Sequence, residues 1–474
     1  MIARLANLAV RRSRRILLIS GVVFLVAAAF GGPVVSILKS ENSDFQDPAS
    51  QNQQVLRAIE HATGQTATYG LVALVSSRGD VRADLAAQRQ SAHVVALLSA
   101  QPGFQRAIDY PRTHLPELVS RDGRQTLVLA AFATRADSTH AVERVRPQLG
   151  GGVRFGGNDV AFDEINKTTS SDLERAEMFA FPILLLLSFW VFRGLVAATL
   201  PLLVGGFAIV LTFLLLRLVD HVAGLSIFAV NLVTGMGLGL GIDYSLFVLA
   251  RYREELAGGA DVRAAILRTL QTAGRTVLYS SLTVAGALAS MLVFPLRFLY
   301  SMGVGGALVA LSAGAVSLLV LPAVLVALGP RIDALAPARL QRSAARTARS
   351  SEQGGWYRLA RAVMRRPGLV ALVTAAVLLA VALPSLRMAL APADAHVLPA
   401  SSEARQVAET LTRDFSVDAS QTVTIVARAQ ANEARSVAAV AARASGIAGT
   451  QASAGPPRYV GRGVWEIELQ PQGT

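Results

Sequence analysis

A chain of 474 residues that is 52% hydrophobic is too apolar to be a soluble domain and reads as a polytopic membrane protein. Its net charge of +13 would suggest nucleic acid in a soluble chain, but segments 1–15, 193, 251–275 and 331–366 hold 20 arginines against 5 acids, which covers the whole excess. Nucleic-acid binding is not needed to explain the charge, and with no cysteine no part of the chain relies on a disulfide.

Apolar runs lie at 16–38, 178–192, 194–216, 222–242, 276–296, 298–330 and 367–386, and the short second run is expected to begin near Leu173. A helix needs about 20 such residues to cross the hydrocarbon core, so seven membrane helices are expected. The arginine-rich segments alternate with segments of little net charge. By the positive-inside rule the N-terminus lies in the cytoplasm and the large segment after the first helix lies outside. The opening RRSRRILLIS looks like a signal sequence, yet the run continues to Leu38 and favours an uncleaved anchor.

The organisation expected is a cytoplasmic N-terminus and first membrane helix over 1–38, an extracytoplasmic domain over 39–172 and a five-helix membrane bundle over 173–330. A cytoplasmic linker over 331–366, poorly ordered before Trp356, a seventh membrane helix over 367–388 and an incomplete second extracytoplasmic domain over 389–474 follow. Within the first outer segment the patterning predicts a helix at 53–61, a strand at 69–75, a helix at 84–100 and strands at 104–110 and 125–132. A helix at 138–149 and a strand at 153–156 complete a β-α-β-β-α-β order, that of a split βαβ, ferredoxin-like α+β unit. Beyond the fourth membrane helix, Val262, Ile266, Leu267 and Leu270 share one face of an amphipathic connector expected to lie on the headgroups.

Shifting the chain by 352 residues lays Arg366 on Arg14, the run after Pro367 on the first membrane helix, Gln406-Val407 on Gln54-Val55 and 421–427 on the first strand. A second copy of the unit therefore begins near residue 366. At that offset Thr474 corresponds to Asp122, so the copy is expected to stop inside its outer domain, without the counterpart of the fourth membrane helix.

The chemistry concentrates in 225–256, where Asp243 and Tyr244 sit inside an apolar run. A carboxylate at that depth costs roughly 2.5–3.5 kcal/mol on insertion scales and usually serves an ion or proton path. Gly235, Gly237, Gly239 and Gly241 give two GxxxG steps that let a neighbouring helix approach closely. Leu240 stands where a dinucleotide fingerprint needs its third glycine, so this is no nucleotide loop. A plain packing face with an acid satisfied by a neighbour is the competing reading. In the fifth helix, Ser280, Ser281 and Thr283 add hydroxyls. Asp243 and Thr283 each lie eight residues, roughly 12 Å at helical rise, from Arg251 and Arg275 respectively. The outer domain holds no metal cluster, catalytic triad or phosphate loop, and the six histidines fall outside the membrane or at its outer edge.

The segments NLVTGMGLGLGIDYSLFVLARYREE and GRTVLYSSLTVAGALASMLVFP, with the anchor helix, outer domain and five-helix order, resemble the MMPL family of the resistance-nodulation-division (RND) transporter superfamily. Protein-translocation accessories and sterol-sensing proteins share the helix plan, but the GIDYS context favours MMPL. The resemblance implies a non-enzymatic exporter of lipids or other hydrophobic molecules in the bacterial inner membrane, driven by the proton gradient and using no cofactor. It assigns Asp243 and Tyr244 as a proton-relay pair and likens Ser280 and Thr283 to supporting relay hydroxyls. Members have about twelve helices and a second Asp-Tyr pair, so this chain is expected to need a missing C-terminal half or a homo-oligomer, or to be a non-transporting half or partner subunit. Membrane lipids and a hydrophobic substrate are the other partners implied.

Overall fold

The computed structural model describes residues 7, 9–38, 42–192, 194–333, 355–387, 394–415, 423–446, 452–454 and 456–471. Arg193 and most of the linker expected to be poorly ordered lie outside the described residues. In chain order the principal elements are α1 (Ser13–Gly31), α2 (Gln51–Thr63), β1 (Leu71–Ser76), α3 (Leu85–Ser99), β2 (Phe104–Asp109), β3 (Gln125–Phe132), α4 (Arg135–Val145) and β4 (Val153–Gly156). There follow α5 (Asn158–Phe192), α6 (Leu195–Ala223), α7 (Phe228–Ala257), α8 (Val262–Gln271), α9 (Ala273–Ala289), α10 (Arg297–Ala315) and α11 (Leu321–Leu328). The second repeat supplies α12 (Gly355–Arg365), α13 (Pro367–Ala382), α14 (Glu403–Asp414), β5 (Val423–Arg428), α15 (Ala434–Ser445), β6 (Ala452–Ala454), β7 (Arg458–Gly461) and β8 (Val464–Pro471). These elements form two compact units, 1–40 with 174–391 and 41–173 with 392–474.

In the membrane unit seven helical segments among the described residues are long and apolar enough to cross a bilayer, in agreement with the sequence reading. Helices α6, α7 and α10 pack on one another, α9 packs on α10, and α1 lies against α6 and α11. Their core holds Leu249, Tyr252, Leu270, Leu321 and Leu325. Helix α13 contributes nothing to this core, since none of its residues is buried. Two expectations change. The fourth membrane helix begins at Phe228 and runs on to Ala257, because Gly224 adopts φ 57 and stops α6 at Ala223. Asp243 therefore sits near the middle of a 30-residue helix. The connector α8 does not simply rest on headgroups: Ile266 and Leu270 are 1% and 2% exposed and belong to the bundle core.

In the outer unit the first sheet has the order β2-β3-β1-β4 with every neighbouring pair antiparallel, the split βαβ arrangement. The run Leu71–Val75 is buried throughout, so both faces of β1 must be covered. On one face Leu71, Ala73 and Val75 meet Val94, Leu98 and Val142 of α3 and α4. The other face is covered by the second repeat: Val407 of α14 and the adjoining Phe415 pack with Val72, Leu74 and Leu127. Glu403 accepts from the Phe155 amide at 2.5 Å and pairs with Arg146, which fixes α14 on the sheet edge. Reciprocally, α2 of the first repeat lies against β5, β7 and β8. The two repeats thus exchange their first outer helices.

The 352-residue offset holds at the first outer helix and strand, Gln51 to Glu403 and Leu71 to Val423, and shifts to 349 at the next helix, Leu85 to Ala434. The correspondence of Thr474 with Asp122 does not hold. Strand β8 pairs antiparallel with both β5 and β7, as β3 pairs with β1 and β2, so the second copy reaches the counterpart of β3. Residues Arg462 and Gly463 alone join β7 to β8, where a long connection separates β2 from β3, and the constant offset therefore fails at that point.

Candidate functional site

The glycines of α7 point to two different faces. A Cβ on Gly241 would lie 2.4 Å from Gly205 Cα, and one on Gly237 would lie 2.4 Å from Ile209 Cγ1, so this pair permits the α6–α7 contact. A Cβ on Gly235 or Gly239 would meet nothing within 4 Å. Gly235, Gly239, Asp243 and Phe247 follow one another at intervals of four residues, and all four are exposed. Asp243 therefore stands on an open stripe of the bundle.

Tyr244, one residue on, turns inward and is 5% exposed. Its Oη is buried without a well-formed hydrogen bond, and the hydroxyl facing it is that of Ser280. Asp243, Tyr244 and Ser280 line one pocket of about 460 Å³, whose wall is completed by Leu240, Leu246, Phe247, Thr276 and Val277. A buried phenol and an accessible carboxylate on adjacent residues, with one serine between the helices, can hold and pass a proton over short distances. Thr283 is elsewhere: it is exposed and donates to the Tyr279 carbonyl at 2.8 Å, as membrane hydroxyls often do within their own helix. Ser281 is buried and donates to the Leu278 carbonyl at 2.9 Å. Thr276 was not singled out from sequence, although its place one helical turn before Ser280 could have marked it.

A second cavity, of about 270 Å³, opens between α1, α6 and the α10–α11 junction and is walled by Leu17, Phe24, Leu200, Phe207, Val320 and Val324 among others. Among the described residues no ionisable group lines it.

The model of the MMPL family matches residues 44–370. The chain belongs to the MMPL family. Among its relatives, the membrane protein SCO6666 of Streptomyces coelicolor is 35% identical over 429 residues, 88% of this chain and 58% of that protein. The trehalose monomycolate exporter MmpL3 of Mycolicibacterium smegmatis is 28% identical over 86% of this chain and 44% of its own length. The mycolic acid-containing lipids exporter MmpL11 of the same organism is 30% identical over 73% of this chain and 37% of its own length. The chain thus spans about half the length of the curated relatives it matches. Family membership and seven apolar helices make it a multi-pass protein of the bacterial inner membrane, in which Asp243 lies at membrane depth.

Proposed function

We propose that this chain provides one bundle and most of the outer unit of a proton-driven exporter of lipids or other hydrophobic molecules, with Asp243 and Tyr244 as the relay. The observation that carries the reading is the carboxylate of Asp243 in a pocket walled by Tyr244 and Ser280, midway along a membrane helix. The exporters among the relatives support the substrate class.

Protonation removes the charge of Asp243, and a low-dielectric setting favours different helix packing for the neutral and ionised forms. Each proton crossing supplies about 2.3 kcal/mol per 100 mV. Asp243→Asn should fold normally, with an unchanged elution profile in detergent, and abolish proton-linked export from reconstituted vesicles. Export retained in that variant overturns the assignment.

The open stripe supports a companion reading, in which the relay works against a second bundle, from a further part of the protein or a second copy. Gly239→Leu meets no obstacle in the described bundle. It should therefore leave this chain folded while blocking docking and export; unimpaired export would remove the second bundle from the scheme.

A further inference from the structure

In the outer unit, α2 and the β7–β8 hairpin enclose a pocket of about 480 Å³ that the proton relay does not use. Residues Gln54, Arg57 and His61 of α2 recur at helical spacing along its wall, and Arg428 and Arg462 face them from the second repeat. Among the described residues no carboxylate lines the pocket; Glu60 is on the same helix but outside the lining. Among the described residues none of Arg57, Arg428 and Arg462 is in an ion pair. Some arginines of this unit are paired, as Arg146 is with Glu403, Arg405 with Glu409 and Arg413 with Asp414, so what sets this group apart is its convergence on one concavity. All three arginines are exposed, and three guanidinium groups on one concavity give it a positive potential that attracts an anion.

The hairpin holds one of them in place. Arg462 has φ 49 and Gly463 φ 75, the left-handed pair of a two-residue hairpin turn whose first position favours Asn, Asp or Gly. An arginine there adopts a backbone that disfavours it, and such outliers gather at binding sites. The tip is anchored on three sides: Arg462 Nη1 donates to the His61 carbonyl at 3.0 Å, the Gly463 amide donates to Tyr459 Oη at 3.0 Å, and the Ala429 amide donates to the Gly463 carbonyl at 3.0 Å. The bond to His61 uses one of the guanidinium's five N–H donors and leaves the others for a ligand.

We propose that this pocket binds a phosphate group, either free phosphate or the phosphodiester of a lipid headgroup. Planar guanidinium forks match phosphate oxygens bidentately, which a carboxylate-free arginine cluster is built to exploit. The site is separate from the proton relay and does not depend on it.

The test uses the full chain purified in a maltoside detergent. Inorganic phosphate is titrated calorimetrically, and in parallel the micelles are doped with phosphatidylglycerol or with phosphate-free diacylglycerol. Saturable phosphate binding at least tenfold weaker in R57Q/R428Q, weakened less in R57K/R428K, which keeps the charge but not the fork, and unchanged in the outer-surface pair R82Q/R89Q, supports a phosphate site with a free source. Binding of phosphatidylglycerol but not of phosphate or diacylglycerol, lost in the same variant, supports the lipid headgroup as source. Binding of neither phosphate nor phosphatidylglycerol, or equal weakening in R82Q/R89Q, overturns the proposal. The lysine variant preserves charge, so a graded loss, larger in the glutamine variant than in the lysine variant, cannot come from misfolding alone.

Discussion

The exchange of helices between the repeats predicts that a side chain from the second repeat stabilises the sheet of the first. Val407 is fully buried on β1 and β4, so near that a Cβ on Gly156 would come 2.6 Å from it. Val407→Ala deletes two methyl groups, about 1.6 kcal/mol of transfer free energy, and the cavity left behind raises the cost to about 2–3 kcal/mol. Since 1.4 kcal/mol is a factor of ten, amides of β1 and β3 that exchange only on opening of the sheet should exchange about 30- to 140-fold faster. Hydrogen-exchange mass spectrometry of the full chain reads this from peptides covering 71–76 and 125–132. Faster exchange in α14 alone, with β1 unchanged, would show that the first sheet is self-sufficient and refute the reasoning. Val407→Asp should be more severe, because it buries an unpaired carboxylate.

Three further outcomes are expected. Gly241→Val should drive α6 and α7 apart, since its first added carbon already lies 2.4 Å from Gly205 Cα; a lower unfolding temperature and loss of the monodisperse elution peak check it. Asp84 caps α3, accepting from Ser77 Oγ at 2.5 Å and from the Ala86 and Ala87 amides, and the Ser77 hydrogen bond foremost holds its pKa below the ordinary carboxylate value. A lowered folded-state pKa contributes stability that is present above the unfolded value and lost as pH falls through the folded one, so α3 should lose exchange protection only on strong acidification, and Asp84→Asn should flatten that dependence. Asp109 is the opposite case. Burial raises its pKa despite Arg112 nearby, so the fold loses stability as pH rises from the unfolded value through the folded one. Asp109→Asn should therefore raise the unfolding temperature at neutral pH, and the gain should vanish in acid.

Much of this architecture was legible in the residue pattern, and the failures have identifiable causes. Strands at 125–132 and 153–156 match β3 and β4 because hydrophobic runs there end at turn residues. The repeat was legible through its constant offset, which survives wherever the loops keep their length. It broke at β7–β8 because a two-residue hairpin replaced a long connection, and no period can reveal a deletion. Helix exchange left no trace in the sequence: Val55 and Val407 read as ordinary positions on amphipathic helices, and which sheet they cover is decided only by packing. At the membrane site, the spacing marked Asp243 and Ser280, but facing direction separates Thr276 and Ser280 from Thr283. An eight-residue depth argument fixes height along a helix and says nothing of azimuth.

The second repeat fares differently in the two units, and the difference bears on what must cover the membrane bundle. In the outer unit α14 buries its apolar side on the first sheet, whereas α13 in the membrane unit buries none of its residues. For α13 that is tolerable, because between Pro367 and Ala382 it carries no charge and hydrocarbon solvates it as well as protein does. The stripe of Gly235, Gly239 and Asp243 is not equivalent. An ionised carboxylate facing lipid costs roughly 2.5–3.5 kcal/mol, and the glycines beside it offer lipid chains little side-chain surface to pack against. On the proposed relay, a second helix with small residues over this stripe would shield from lipid the pocket that Asp243 shares with Tyr244. On that proposal the surface a second bundle would cover belongs to α7 and not to α13.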